Sequence, residues 1–311
     1  MAARAVVFAY HDVGARCLAV LLAHGVEVPL VVTHADDPGE TIWFASVERL
    51  AREQGLEVAT PQAPALPGLA ARLAALAPDF VFSFYYRYML PEPVLATARR
   101  GAYNMHGSLL PKYRGRVPVN WAVLRGERET GATLHEMTAK PDAGRIVDRM
   151  AVPILPDDRA IDVFRKVTVA AELVLDRSLP ALLDGTARPV AQDLSQGSYF
   201  GARRPEDGRI DWSKGAREIH DLVRAVAPPY PGAFTALGGG TLRVLRTRVL
   251  AGRGAAGAPT VAVDEAGRLV ARCADGGTLV LLEAELDGAP LTASTFIGRF
   301  GREGARPGGT P

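Results

Sequence analysis

The sequence predicts an α/β protein with a doubly wound, mostly parallel sheet over residues 1–190, followed by a smaller all-β unit. Three observations lead there. The chain opens on an apolar run, a turn, a helical run and a second apolar run, which is the start of an alternating strand–helix–strand fold. Its 311 residues correspond to about two domains at roughly 150 residues each. After about residue 190 the composition changes to short strand-like runs separated by glycine.

In chain order, Ala5–Tyr10 is apolar enough for a strand buried on both faces. His11-Asp12-Val13-Gly14 makes a turn, Ala15–Ala23 has helical composition, and Gly25 ends it. Val28–Thr33 is the second strand. The stretch 34–40, HADDPGE, reads as an acidic solvated loop, and Ile42–Gln54 as an amphipathic helix. Leu56–Ala59 is a short strand, Thr60–Gly68 a proline-rich loop, Leu69–Ala77 an alanine-rich helix and Phe80–Phe84 a buried strand. Ala102–His106 is a further strand, and Pro118–Leu124 a helix with proline in its first turn. Strands Gly131–Met137 and Arg145–Val152 flank the loop Thr138–Gly144. Asp157 or Asp158 is placed to cap a long helix, Ala160–Leu183. Residues 191–204 form a linker. Ile219–Ala227 is helical, and short strands at 234–237, 242–250, 260–263, 269–271 and 278–282 suggest a barrel or sandwich over 205–300. Residues 301–311 have the composition of a disordered tail.

The most informative stretch is Gly101–Arg116, GAYNMHGSLLPKYRGR. Asn104 and His106 are two residues apart, so on a strand they share a face, and Gly107 lets the backbone turn directly after them. An amide and an imidazole therefore project side by side from a strand's carboxyl end, where open α/β sheets bind ligands. Tyr85–Leu90, at the end of the preceding strand, could line a pocket for a flat ring. Lys112, Arg114 and Arg116 are a basic run suited to carboxylate or phosphate.

Asn-x-His-Gly-Ser-Leu-Leu-Pro-x-x-Arg-Gly resembles the signature of the 10-formyltetrahydrofolate-dependent formyltransferases. The resemblance extends to Val6–Asp12, Phe82–Arg87, Pro118 with Asn120-Trp121, Val223–Ala227 and Pro231–Phe234. Within that family it points to the branch that formylates UDP-4-amino-4-deoxy-L-arabinose in lipid A modification and polymyxin resistance. It implies a Rossmann-like catalytic domain followed by an open, OB-like β-barrel. It also implies a catalytic triad of Asn104, His106 and Asp142, the last from a D-x-G loop. Tyr88, Met89, Leu90, Arg116 and Thr138, Ala139, Lys140, Pro141 and Asp142 would meet the folate, with Tyr88 standing where the family has a more polar residue. Tyr10, Arg203 and Arg204 are candidate contacts to a nucleotide sugar. Read without the resemblance, Asp142 beside Pro141 and before Gly144 is equally a turn residue.

These residue types suit formyl transfer to an amine. An amide N–H can stabilise the oxyanion of a tetrahedral intermediate. An imidazole, with an ordinary pKa of about 6.5, handles protons near neutrality, and a carboxylate beside an imidazolium favours its charged form. A net charge of +2 and a short acidic loop at 34–40 disfavour a nucleic-acid partner, hence methionyl-tRNA formyltransferase. A glycinamide ribonucleotide formyltransferase would lack the C-terminal β unit. A dTDP-sugar N-formyltransferase fits the same residues. A non-catalytic folate- or nucleotide-binding module is opposed by the presence of all three triad residues, which binding alone does not need. No metal is expected. Two distant cysteines, Cys17 and Cys273, and no apolar run of about 20 residues suggest a reduced, cytoplasmic setting without membrane insertion. No G-x-G-x-x-G follows the first strand, which argues against a dinucleotide enzyme. The resemblance implies that a separate dehydrogenase/decarboxylase would supply the amino-sugar precursor.

Overall fold

The computed structural model describes residues 2–62 and 68–308. Most of the expected proline-rich loop at 60–68, and the last residues of the tail, 309–311, lie outside the described residues. By proximity the chain divides into two units. The first is Met1–Pro118, Glu129–Val152 and Phe164–Gly201; the second is Val119–Arg128, Pro153–Val163 and Ala202–Pro311. Two internal excursions of the chain thus group with the C-terminal residues.

The first unit holds β1 (Arg4–Ala9), α1 (His11–Ala23), β2 (Glu27–Val32), α2 (Val47–Glu53), β3 (Val58–Ala59), α3 (Leu69–Leu76), β4 (Phe80–Phe84), α4 (Glu92–Leu95), β5 (Gly101–His106) and β6 (Arg114–Gly115). After α5 (Pro118–Leu124) come β7 (Glu129–Glu136), β8 (Ile146–Pro153), the long α6 (Ala160–Asp184) and β9 (Tyr199–Phe200). The central sheet has the order β3-β2-β1-β4-β5-β7-β8. β1 through β5 are parallel neighbours, and β7 runs antiparallel to β5. Val6, Val7, Phe8, Val81, Phe82 and Phe84 are fully buried, as expected of strands covered on both faces. The order reverses between β1 and β4, so their carboxyl ends mark a topological switch point.

The second unit contains α7 (Ala216–Val226), β10 (Ala233–Leu237), β11 (Gly240–Val249), β12 (Thr260–Val263), β13 (Leu269–Arg272), β14 (Thr278–Leu286), β15 (Ala289–Pro290) and α8 (Ala293–Phe300). Its sheet is antiparallel, in the order β10-β11-β14-β13-β12 with β15 on β14. Inside it, the Asp221 carboxylate accepts from Arg224 Nε at 2.7 Å, both nearly fully buried.

Local chemistry accounts for the differences from the sequence expectations. The helix expected from Ile42 starts only at Val47, because Ser46 caps it by accepting from Arg49 N–H at 3.2 Å. Trp43 and Phe44, apolar in the helical pattern, instead pack their rings on His11. α8 has no counterpart in the sequence expectations; Thr292 caps it by accepting from Thr295 N–H. The segment expected to be disordered from 301 makes paired contacts: Ala305 exchanges two backbone hydrogen bonds with Val261 of β12, and Gly308 N–H donates to Ala236 of β10. β12 and β10 are the two ends of the sheet order, so this segment joins both edges of the curled sheet.

Candidate active site

β5 carries Asn104 and His106 to the carboxyl end of the sheet. Gly107 is required there: a Cβ on it would sit 1.9 Å from the Tyr85 hydroxyl. His106 is 6% exposed. Its Nε2 lies 2.8 Å from the Tyr113 carbonyl oxygen, which can only accept, so Nε2 carries the proton. Nδ1 then faces Asp142 Oδ1 at 3.6 Å, too long for a hydrogen bond but close for an ion pair.

Asp142 stands in the turn between β7 and β8 with φ of 49°, a left-handed conformation that Asp tolerates better than most side chains. Its Oδ2 accepts from Gly115 N–H at 2.8 Å. Burial pushes the carboxyl up. The charge that the His106 and His135 rings carry when protonated, together with the Gly115 N–H, outweighs that and holds it well below the usual carboxylate range. The group is therefore an anion facing two imidazoles.

Sequence reasoning misses His135. It lies directly opposite Asn104 across the antiparallel β5–β7 pair. Its Nδ1 donates to the Glu136 carbonyl oxygen at 2.7 Å, which in the neutral ring leaves Nε2 as an acceptor for the Asn104 amide N–H at 3.1 Å. One N–H of Asn104 is thereby held and the other remains available. His135 Nε2 is also 3.5 Å from Asp142 Oδ1. The only sequence signal is its alternation with Thr133 on an expected strand. Its partner depends on register.

Residues expected to be a linker hold the site from behind. Gln192 Nε2 donates to the carbonyl oxygens of Asp142 and Gly144 at 3.0 and 2.6 Å. Ser198 Oγ accepts from Tyr113 N–H at 2.9 Å, and β9 pairs with β6.

The other candidates fall into separate groups. Leu90 is buried in a core cluster with Tyr86, against which Tyr88 and Met137 also pack, while Met89 is 62% exposed. Thr138, Ala139 and Lys140 are exposed, and Thr138 Oγ1 donates to the Lys140 carbonyl oxygen; Pro141 is half-buried. Arg116 Nη2 donates to the Arg87 carbonyl oxygen at 3.1 Å. The Tyr10 hydroxyl donates to Asp36 Oδ1 at 2.8 Å, and burial pushes its pKa up. The acidic loop at 34–40 is exposed over residues 35–39, as expected of a solvated loop, but it is also tied down: Glu40 accepts two hydrogen bonds from Arg87. Arg203 and Arg204 belong to the second unit. The Arg203 guanidinium lies 5.0 Å over the Trp121 ring, and its Nη1 is buried without an acceptor, while Arg204 N–H donates to Asp207. Among the described residues no group of three or more His, Cys, Asp or Glu side chains is arranged to hold a metal, and no helix is long and apolar enough to cross a membrane.

Residues 14–179 match the family model described as formyl transferase, and residues 203–301 match the formyl transferase C-terminal domain. The chain belongs to the formyl transferase family. This formyltransferase is a transferase enzyme with the family's two-part architecture, a parallel-dominated α/β sheet followed by an antiparallel curled sheet. Its fold is similar to that of an N-formyltransferase from Helicobacter canadensis solved with folinic acid and dTDP-3-aminofucose. That match has a TM-score of 0.73 and 19% identity over 90% of this chain and 99% of that one. It is also similar to WlaRD, a sugar 3N-formyltransferase solved with dTDP and 5-N-formyl-THF, with a TM-score of 0.71 and 17% identity over 92% and 98% of the two chains. HypX from Aquifex aeolicus, solved with tetrahydrofolic acid, matches at a TM-score of 0.62 and 18% identity, over 96% of this chain and 47% of that one.

Proposed function

We propose that this formyltransferase moves a formyl group from 10-formyltetrahydrofolate to the 4-amino group of a nucleotide-linked amino sugar, UDP-4-amino-4-deoxy-L-arabinose. The observation that carries the reading is the convergence of an amide, an imidazole and an ionised carboxylate at one strand end, from residues 38 positions apart at their widest (Asn104 to Asp142). The amine nitrogen forms a bond to the formyl carbon, the bond from that carbon to the folate nitrogen breaks, and the proton lost by the amine ends on the folate nitrogen. Asn104 donates its second N–H to the oxyanion that develops. Removing such a donor typically costs about 100- to 1000-fold in rate. His106 takes the proton at Nδ1, and Asp142 offsets the charge the ring then carries.

Tyr88, Met89, Leu90, Arg116 and the loop from Thr138 to Asp142 would hold the folate. They fit such a ligand: Tyr88 and Met137, which border the two segments, pack on the same buried cluster, and Met89 projects into solvent beside them. Arg203 and Arg204, with Tyr10, are the proposed contacts to the sugar nucleotide; the Arg203 Nη1 left without an acceptor suits a phosphate oxygen. The tied-down acidic loop supports a small substrate rather than RNA. In this reading the enzyme works in the cytoplasm, in lipid A modification, and a separate decarboxylating dehydrogenase supplies the precursor. The dTDP-containing structures of similar fold favour a dTDP-linked amino sugar as the second reading.

The test is a screen of UDP- and dTDP-linked amino sugars with 10-formyltetrahydrofolate, following tetrahydrofolate release. The UDP-linked 4-amino sugar should be formylated with the highest kcat/KM. His106→Ala and Asp142→Ala should abolish transfer while leaving circular dichroism unchanged. Turnover by either variant near the wild-type rate refutes the assignment.

A further inference from the structure

The segment 85–90 belongs to no strand or helix, so no ladder fixes its main chain. Arg87 in its middle is nevertheless held at every polar group. Its N–H donates to His34 Nε2 at 3.0 Å. Its carbonyl oxygen accepts from Arg116 at 3.1 Å. Its guanidinium makes two hydrogen bonds to Glu40, at 2.8 and 2.7 Å, and lies 4.7 Å over the Tyr10 ring.

His34, the first residue of the acidic loop, is the contact that acts on both the backbone and the rings of this segment. Its ring stacks on Tyr86 at 4.2 Å and 17°, and meets Tyr88 edge-on at 4.7 Å. Because an amide N–H can only donate, Nε2 must be a bare acceptor and the proton must sit on Nδ1. Burial, and next to it the Arg87 charge, lower the pKa of the ring to about 4, which keeps it in that neutral form. Tyr88, Met89 and Leu90 follow Arg87 immediately. Any rotation of the Arg87 peptide is transmitted to their main chain, and this is where the proposed folate contacts lie.

We infer that His34 is a positioning residue for the formyl donor: it accepts the Arg87 N–H and clamps Tyr86, and so sets the main-chain direction of residues 88–90. The inference rests on the folate reading of that segment. It separates two properties of one side chain, the acceptor and the flat ring. His34→Phe keeps a ring for Tyr86 and removes the acceptor. His34→Gln supplies an acceptor of similar reach and removes the ring.

The experiment uses the full chain, varying 10-formyltetrahydrofolate and the amino sugar in turn, with calorimetric titration of folinic acid and thermal denaturation alongside. His34→Phe should raise KM for the donor about tenfold and weaken folinic acid binding to match. Its kcat should stay within about twofold of wild type, and its KM for the sugar should not change. His34→Gln should bring the donor KM back to within about threefold of wild type. An unchanged donor KM in His34→Phe overturns the inference. So does a parallel rise in both KM values with a fall in kcat and in melting temperature, which is what a purely structural role would produce. Failure of the wild-type protein to bind folinic acid overturns the folate reading itself, and the inference with it.

Discussion

Replacing Gly107 by alanine perturbs the site by one methyl group whose position is known. The added Cβ lies 1.9 Å from the Tyr85 hydroxyl oxygen, against an ordinary contact of at least 3.4 Å, so something must move by about 1.5 Å. Tyr85 cannot swing away easily. Its hydroxyl is fully buried, and its ring is set among His11 and Phe164 at 6.4 and 5.8 Å. The strand end must therefore share the displacement, and its last residue is His106. Overpacking of this kind costs about 1–3 kcal/mol of stability. A displacement near 1 Å at reacting groups costs on the order of 100-fold in rate. Gly107→Ala should thus lower kcat/KM about 100-fold while the protein still folds. Removing the hydroxyl in a Gly107→Ala/Tyr85→Phe double variant leaves the ring Cζ, 3.0 Å away, as the nearest atom of Tyr85. Most of the activity should return, measured against Tyr85→Phe alone as the reference. The assay is steady-state formyl transfer with thermal denaturation in parallel. Wild-type activity in Gly107→Ala, or a double variant no better than the single one, would refute the reasoning.

Three further outcomes are expected. His11 is held neutral, with a pKa lowered to about 3 first by burial and then by the Arg87 charge. Below about pH 6.5 the unfolded chain binds a proton there that the folded one refuses, so stability falls as pH drops from 6.5. By pH 5 the loss is about 2 kcal/mol, and urea unfolding of His11→Phe should lack that part of the pH dependence. Ending the chain after Glu303 removes the Ala305–Val261 pair and the Gly308–Ala236 bond. The melting temperature should fall by several degrees, and light scattering should detect association through the bared edges of β10 and β12. Gln192→Leu takes the donor from two carbonyl oxygens behind Asp142. Formyl-transfer kinetics should show kcat/KM reduced about tenfold, with urea unfolding showing a loss of about 1–3 kcal/mol.

Much is legible from local order. The apolar runs of β1 and β4 are contiguous in sequence because strands buried on both faces need no alternation. Asn104 and His106 can be placed together because a period of two is a property of the chain itself. The glycine after them can be read as a turn, although its second reason, the Tyr85 hydroxyl, cannot. Helix starts are less legible. His11 reads as part of a turn and is the first residue of α1, with φ of 68°. Ile42, Trp43 and Phe44 fit a helical pattern, but Trp43 and Phe44 are claimed by an aromatic cluster around His11 that brings together residues as distant as Phe164.

The amino-acid order alone determined which chemical groups share a strand face, where the chain must turn, and that the chain forms an α/β sheet followed by a β unit. Tertiary structure decided which groups meet. Strand register set His135 opposite Asn104, loop closure brought Asp142 to 3.6 Å from His106, and the docking of 191–200 gave that loop its support. Side-chain periodicity is a property of neighbouring residues, whereas register and loop closure depend on the summed packing of segments far apart in the chain.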